Sequence, residues 1–140
     1  MHLLDVNVWL ALAFDSHQHH TRAARWFEAA QPESCCFCRM AQQGFLRLAT
    51  TPQVMMSNAL TLADAWRAYD DLYNDPRVVF ADEPDGIERL WRVHTQDDTF
   101  SPKVWNDAYL AAFAQAADFE LVSFDQGLGR YKNLRCIIVP

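Results

Sequence analysis

Two aspartates stand where short apolar runs stop. Asp5 follows Met1-His2-Leu3-Leu4, and Asp125 follows Leu121-Val122-Ser123-Phe124 and precedes the turn Gln126-Gly127-Leu128-Gly129. Each apolar run reads as a strand, and Val8-Trp9-Leu10-Ala11-Leu12-Ala13 behind Asp5 reads as a helix. Ligands of open parallel sheets sit outside the carboxyl ends of the strands, so acids placed there face a crevice. A carboxylate left beside a core without a partner is strongly disfavoured, and both acids therefore need company. A third acid, Asp107, falls near the start of a long apolar helix. Three carboxylates converging from distant parts of the chain would make a hard-cation site. Mg²⁺ or Mn²⁺ suits it, because these ions take oxygen ligands, keep several waters and are commonly shared with substrate phosphate. The ordinary role of a single acid is a solvated or capping one, and Asp64, Asp70, Asp71 and Asp75 read that way.

The elements that must position these acids alternate along the chain. After the opening strand and helix comes the polar connection Asp15 to His20, then a helix from about Thr21 to Ala30 with Ala23, Trp26, Phe27 and Ala30 on one face. Cys35 to Cys38 forms a second strand, and a helix from Met40 to Ala49 is stopped by Thr50-Thr51-Pro52. Thr61 to Asp64 has capping-box spacing and opens the clearest helix, carrying Leu62, Ala65, Trp66, Tyr69, Leu72 and Tyr73. Asn74-Asp75-Pro76 breaks it before a third strand, Arg77 to Ala81, and a helix bearing Ile87, Leu90 and Trp91 follows. Ser101-Pro102 reads as the start of the helix carrying Asp107, which continues to about Ala117. Strands at Leu121 to Phe124 and Cys136 to Val139 close the chain. Strands alternating with helices predict an α/β fold, three layers around a mostly parallel sheet, in one domain over residues 1–140.

Composition narrows the class. With 51% hydrophobic residues and only four Gly, the chain can bury a real core and is neither disordered nor fibrous. No apolar stretch approaches a membrane span and the start lacks the basic residues of a signal peptide, so no membrane partner is expected and the cytoplasm is the expected location. The formal charge of −6 argues against a nucleic-acid partner in general, but bound divalent cations would invert the charge locally and attract phosphate.

Other residues tempt. Cys35 and Cys38 have C-x-x-C spacing, but on a strand they are held ~10 Å apart, too far for a disulfide or a shared ion. With Cys36 and Cys136 they read as reduced core thiols. His17, His19 and His20 read as capping or packing residues of a loop, and Trp66, Tyr69 and Tyr73 as core or interface residues.

The segments Leu4-Asp5-Val6-Asn7-Val8-Trp9-Leu10-Ala11-Leu12, Gln42-Gln43-Gly44-Phe45-Leu46-Arg47-Leu48, Trp105-Asn106-Asp107-Ala108-Tyr109-Leu110-Ala111-Ala112-Phe113-Ala114 and Leu121-Val122-Ser123-Phe124-Asp125-Gln126-Gly127-Leu128 together resemble the PIN domain. More closely they resemble the VapC toxins of prokaryotic toxin–antitoxin pairs. Each motif alone is weak, whereas four in the right order along a chain of suitable length are strong. The resemblance implies a PIN-like three-layer α/β/α fold and an Mg²⁺- or Mn²⁺-dependent endoribonuclease that acts on RNA, is neutralised by a cognate antitoxin and forms a homodimer. It also implies that Asp5, Asp107 and Asp125 bind metal, that Asn7 accompanies the first acid and that Arg47 belongs to the second motif. Gln42 departs from the pattern, standing where many members have Glu. A neutral amide adds no negative charge, so a second tightly bound ion is not expected. Arg47 is a candidate phosphate contact or an ion-pair partner of a site acid.

Two alternatives stay open at this point. A catalytically weak or inactive PIN-like binding module would follow from Gln42. A Mg²⁺-dependent phosphoacceptor domain would need a lysine at a strand end, and Lys103 and Lys132, the only lysines, follow no convincing strand.

Overall fold

The computed structural model describes residues 1–140. At its centre lies β1 (His2–Leu4), flanked in parallel by β2 (Cys35–Phe37) and β4 (Glu120–Ser123). β3 (Val78–Phe80) extends the sheet beyond β2, and β5 (Cys136–Ile138) beyond β4, both parallel. The order is β3-β2-β1-β4-β5. Parallel strands covered on both faces must be apolar throughout, and Leu3, Leu4, Cys35, Cys36, Phe37, Leu121 and Val122 are all sealed from solvent. The sheet is wholly parallel, and with seven helices it gives the expected α/β fold.

The order of strands locates the crevice. From β1 the chain steps outward to β2 and β3, then returns to lay β4 against the other side of β1. Crossovers on opposite sides of β1 diverge, and the gap between them opens above the carboxyl ends of β1 and β4. Asp5 and Asp125 follow those two ends.

The crossovers are helical. α1 (Val6–Ala13) and α2 (His20–Glu28) join β1 to β2. α3 (Arg39–Ala49), the short α4 (Pro52–Met55) and α5 (Leu62–Tyr73) join β2 to β3. α6 (Ile87–His94) and α7 (Val104–Ala117) join β3 to β4, and one 3-10 turn, Gln126–Arg130, suffices before β5. α1 packs on α2, α3 and α5, while α6 packs on α7 and α7 on β4. No helix is long and apolar enough to cross a membrane.

Two details differ from the sequence reading. Pro52 does not merely stop α3 but opens α4 at its first turn, where its missing N–H is harmless. Ser101 and Pro102 lie in a turn before α7, closed by Val104 N–H donating to the Ser101 carbonyl at 3.2 Å, so the helix starts at Val104 and Asp107 sits in its first turn. A carboxylate there faces the positive end of the helix dipole.

Aromatic packing fixes the core. Trp9 stacks on Phe37 at 3.7 Å, and Phe37 meets Phe45 edge-on and Tyr69 at a tilt. Such pairs add about 0.5–1.5 kcal/mol each beyond the area they bury. Close approach is needed where α3 crosses the start of α1: a Cβ on Gly44 would stand 2.7 Å from Val6 Cγ2, one residue from Asp5.

Candidate active site

Ser123, the last residue of β4, is fully buried and ties the site together. Its hydroxyl donates to Asp5 Oδ2 at 2.7 Å, and its oxygen accepts from Asn7 Nδ2 at 3.0 Å and from the Asp125 amide at 2.9 Å. Asp5 is also the N-cap of α1, its Oδ1 accepting from Val6 N–H at 2.7 Å. Asp125 repeats the device one strand over, its Oδ1 accepting from Gly127 N–H at 2.7 Å and opening the 3-10 turn. Asn7 closes the gap between β1 and β4 from above, with its Oδ1 also taking the Phe124 amide at 3.4 Å. Asp107 reaches the cluster from α7, where Arg130 Nη2 donates to its Oδ2 at 3.2 Å. Arg130 bonds the Tyr131 hydroxyl at 2.9 Å as well.

The charges act on one another. Burial pushes the Asp5 carboxyl above the ordinary carboxylate range; hydrogen bonds from Ser123 and Val6 pull it back, and the charges of Asp107 and Asp125 push it further up. Asp107 is also raised, chiefly by burial, with Arg130 lowering it and Asp125 raising it. A group of mutually repelling, partly desolvated carboxylates with a single guanidinium at one edge lacks counter-charge.

The donor set is oxygen-only and anionic, which fits a hard divalent cation. As the side chains stand, no three of them close around a common point. Asp5 and Asp125 are each turned onto a backbone amide, and Asp107 onto Arg130. Each carboxylate oxygen keeps a second lone pair, so these hydrogen bonds orient the acids without exhausting them.

The remaining sequence candidates make no hydrogen bond to the acids of this cluster. Gln42 is buried on α3, its Oε1 accepting from Arg39 Nη1 and its amide beside the Tyr69 hydroxyl. Arg39 in turn stacks over the Phe80 ring, with its guanidinium 4.6 Å from the centroid. Arg47 is exposed, and only its carbonyl is engaged, by the Thr50 and Thr51 hydroxyls. The partner of a site acid is Arg130 instead. The histidines pack: His20 Nδ1 lies 2.8 Å from the Ala11 carbonyl, His17 Nδ1 accepts from the His19 amide at 3.1 Å, and the His19 ring stacks on Phe124 at 4.5 Å. Cys35, Cys36 and Cys38 are buried thiols, and desolvation pushes Cys35 up to about 11 and Cys36 up to about 12. Neither Lys103, at the start of α7, nor Lys132, after Tyr131, follows a strand, so the phosphoacceptor reading has no residue to carry it.

Sequence reasoning missed Ser123 and did not single out Arg130 and Tyr131. The signal for Ser123 was present, a lone hydroxyl at the end of a buried strand two residues before the acid. For Arg130 there was none, since its meeting with Asp107 depends on how the 3-10 turn folds back on α7.

Comparison with known proteins agrees with this geometry. The family model for the PIN domain matches residues 2–134. Ribonuclease VapC41 of Mycobacterium tuberculosis is 44% identical over 139 residues, covering 96% of this chain and 95% of that protein. Ribonuclease VapC38 of the same species is 36% identical over 134 residues, covering 91% and 87%. Among solved structures, M. tuberculosis VapC20, described as a sarcin-ricin loop cleaving toxin, superposes with a TM-score of 0.67 at 14% identity over 92% of this chain and 93% of that one. FitAcB from Neisseria gonorrhoeae gives 0.65 at 17% identity over 98% and 96%. These two likenesses speak for the fold, and the sequence matches for the family. With its acids at the divide of a parallel sheet and its kinship to named VapC ribonucleases over nearly its whole length, the chain belongs to the PIN-domain family, in its VapC branch.

Proposed function

We propose that this protein is an Mg²⁺- or Mn²⁺-dependent endoribonuclease that hydrolyses RNA phosphodiester bonds, and that it serves as the toxin of a toxin–antitoxin pair, restrained by a cognate antitoxin and acting as a homodimer. What supports this reading is that Asp5 and Asp125 follow the ends of β1 and β4, with Asp107 near enough for its charge to act on Asp5, in a chain with VapC relatives.

Asp5, Asp107 and Asp125 would hold the cation. When bound, it supplies Lewis-acid charge for the phosphate and a means of activating water at neutral pH. The chain's own residues do the rest. Ser123 and Asn7 fix the directions of Asp5 and of the strand end that presents Asp125. Arg130 stands at the edge of the cluster with a fork suited to a phosphate oxygen, and exposed Arg47 has a guanidinium available for the same purpose. Gln42 acts by positioning, bracing α3 through Arg39.

The test is cleavage of a mixed cellular RNA pool by purified, antitoxin-free protein with Mg²⁺ or Mn²⁺, with EDTA, and with Asp107→Asn. Cutting that needs the ion and is lost in Asp107→Asn is the expected result. Folded protein that binds Mn²⁺ and cuts nothing in the pool would overturn the general ribonuclease reading in favour of a binding module.

A further inference from the structure

Beside the acidic cluster lies a cavity of about 1080 Å³ between α6, α7 and the segment that runs from Arg130 into β5. Its charge is opposite to that of the chain. Arg89, Arg130, Lys132 and Arg135 line it against only Asp97 and Asp118. Four of the 12 Lys and Arg therefore face a concavity that two of the 18 Asp and Glu enter. Arg135 is engaged by Asp118 at 2.7 Å and Arg130 by Asp107 at 3.2 Å. Arg89 and Lys132 are exposed, and of Lys132 only the carbonyl is engaged. No acid of the protein neutralises either side chain.

The cations are mounted on a fixed frame. Gln115 Nε2 on α7 donates to the Lys132 carbonyl at 2.7 Å, while its Oε1 lies 2.7 Å from His94 Nε2. The His94 ring meets Tyr131 edge-on at 4.9 Å, and the Tyr131 hydroxyl accepts from Arg130. Arg130 thus belongs both to the wall of the cavity and to the acidic cluster. A polyanion held in this cavity meets Arg130, and Arg130 touches the acidic cluster at Asp107.

We propose that this cavity holds the sugar-phosphate backbone of single-stranded RNA on one side of the scissile bond, with Arg89 and Lys132 neutralising phosphates remote from the reacting one. This rests on the ribonuclease reading above and deepens it by naming where the phosphates flanking the scissile bond are held. The cavity is large for one phosphate and too small to enclose a duplex, and single strands follow basic grooves of this kind. Arg130 favours RNA over an acidic protein segment, because it carries the bound chain onward into the site where a phosphodiester has to arrive.

The experiment measures binding of a fluorescent, uncleavable 2′-O-methyl single-stranded RNA in EDTA across a salt series. It compares wild type, Arg89→Gln/Lys132→Gln, the charge-keeping Arg89→Lys/Lys132→Arg, and Arg25→Gln/Arg67→Gln, which removes the same charge elsewhere. Each phosphate neutralised on a single strand contributes about 0.7 to the slope of log affinity against log salt. The Gln cavity variant is expected to lose about 1.4 of that slope and on the order of tenfold in affinity at low salt. The charge-keeping and distant variants should match wild type. Equal slopes and affinities in both Gln variants overturn the proposal. So does unchanged RNA binding with a selective loss of oligo-glutamate binding, which assigns the cavity to a protein segment. Cleavage of the RNA pool separates the two levels: a wild type that does not cut, with RNA binding lost only in the cavity variant, sinks the ribonuclease reading and leaves the cavity standing. A wild type that cuts, with a cavity variant that binds and cuts like the distant one, does the reverse.

Discussion

Ser123, itself fully buried, donates its only hydroxyl proton to Asp5 across 2.7 Å, joining the end of β4 to the end of β1. The same oxygen takes the Asn7 amide and the Asp125 backbone N–H. Removing the hydroxyl therefore strands three polar groups at once. Ser123→Ala should lower stability by about 1–3 kcal/mol, the loss of one hydrogen bond to a carboxylate and two to partly buried groups. Urea unfolding would show this, and an unchanged midpoint would contradict it. RNA cleavage should fall in kcat more than in KM, because the acids lose their orientation and the remote binding contacts do not.

The raised Asp5 carboxyl has a stability consequence with a definite sign. Its folded pKa lies above the ordinary value of 3.8, mainly through burial, so across the interval between the two the folded state holds more proton than the unfolded one. Stability of the metal-free protein then falls as pH rises through that interval. Asp107 contributes with the same sign, whereas His2 and His17, lowered chiefly by burial, act oppositely as pH falls below 6.5. The difference between wild type and Asp5→Asn isolates the carboxyl. In EDTA the variant should gain on wild type as pH rises above 4, and saturating Mn²⁺ should reverse the order at pH 7 by stabilising wild type alone. A difference that stays flat with pH would show that Asp5 is not desolvated in solution.

The acids were legible because strand ends are legible. A buried parallel strand is an uninterrupted apolar run, and the residue that stops it must face the crevice, so Asp5 and Asp125 announce themselves. Asp107 was legible from its place early in a helix and from motif order, although Ser101-Pro102 reads as a cap and proves to be a turn. Ser123, inside an apolar run, reads as strand filler; its role exists only because β4 lies beside β1, a pairing that depends on the sheet's crossover. Arg130 is less visible still, since one 3-10 turn decides whether it meets Asp107 or solvent. Gln42 was legible as a departure from a pattern, but which way its amide turns is set by Arg39 and Tyr69, one turn back on α3 and across on α5.

Arg130 opposes a cation at Asp107 while inviting a phosphate, and the two effects can be separated. The pair is half-exposed, so its worth is small, about 0–1 kcal/mol. Arg130→Gln should thus tighten Mn²⁺ binding in the absence of RNA by no more than about fivefold and weaken RNA binding in EDTA. Calorimetric titration with Mn²⁺ and the RNA binding assay test the two halves. Weaker Mn²⁺ binding in the variant would mean that Arg130 orders Asp107 for the ion and does not compete with it.

Gln42 tests whether the second motif supplies a ligand or a brace. Its amide is buried and turned onto Arg39, whose guanidinium is held over Phe80. A glutamate there would accept the same bond from Arg39, now as a charged pair, and gains nothing by leaving it for the cluster. Gln42→Glu is accordingly expected to fold, to keep the Mn²⁺ stoichiometry of wild type and to cleave RNA at the same rate. Gln42→Ala, which removes the acceptor of the solvent-reachable Arg39 fork, should lose about 0.5–1.5 kcal/mol of stability. Mn²⁺ titration followed by calorimetry, with urea unfolding of both variants, decides the matter. A second Mn²⁺ equivalent in Gln42→Glu would mean that this side chain swings from Arg39 to the acids, and that the neutral amide limits the site's charge.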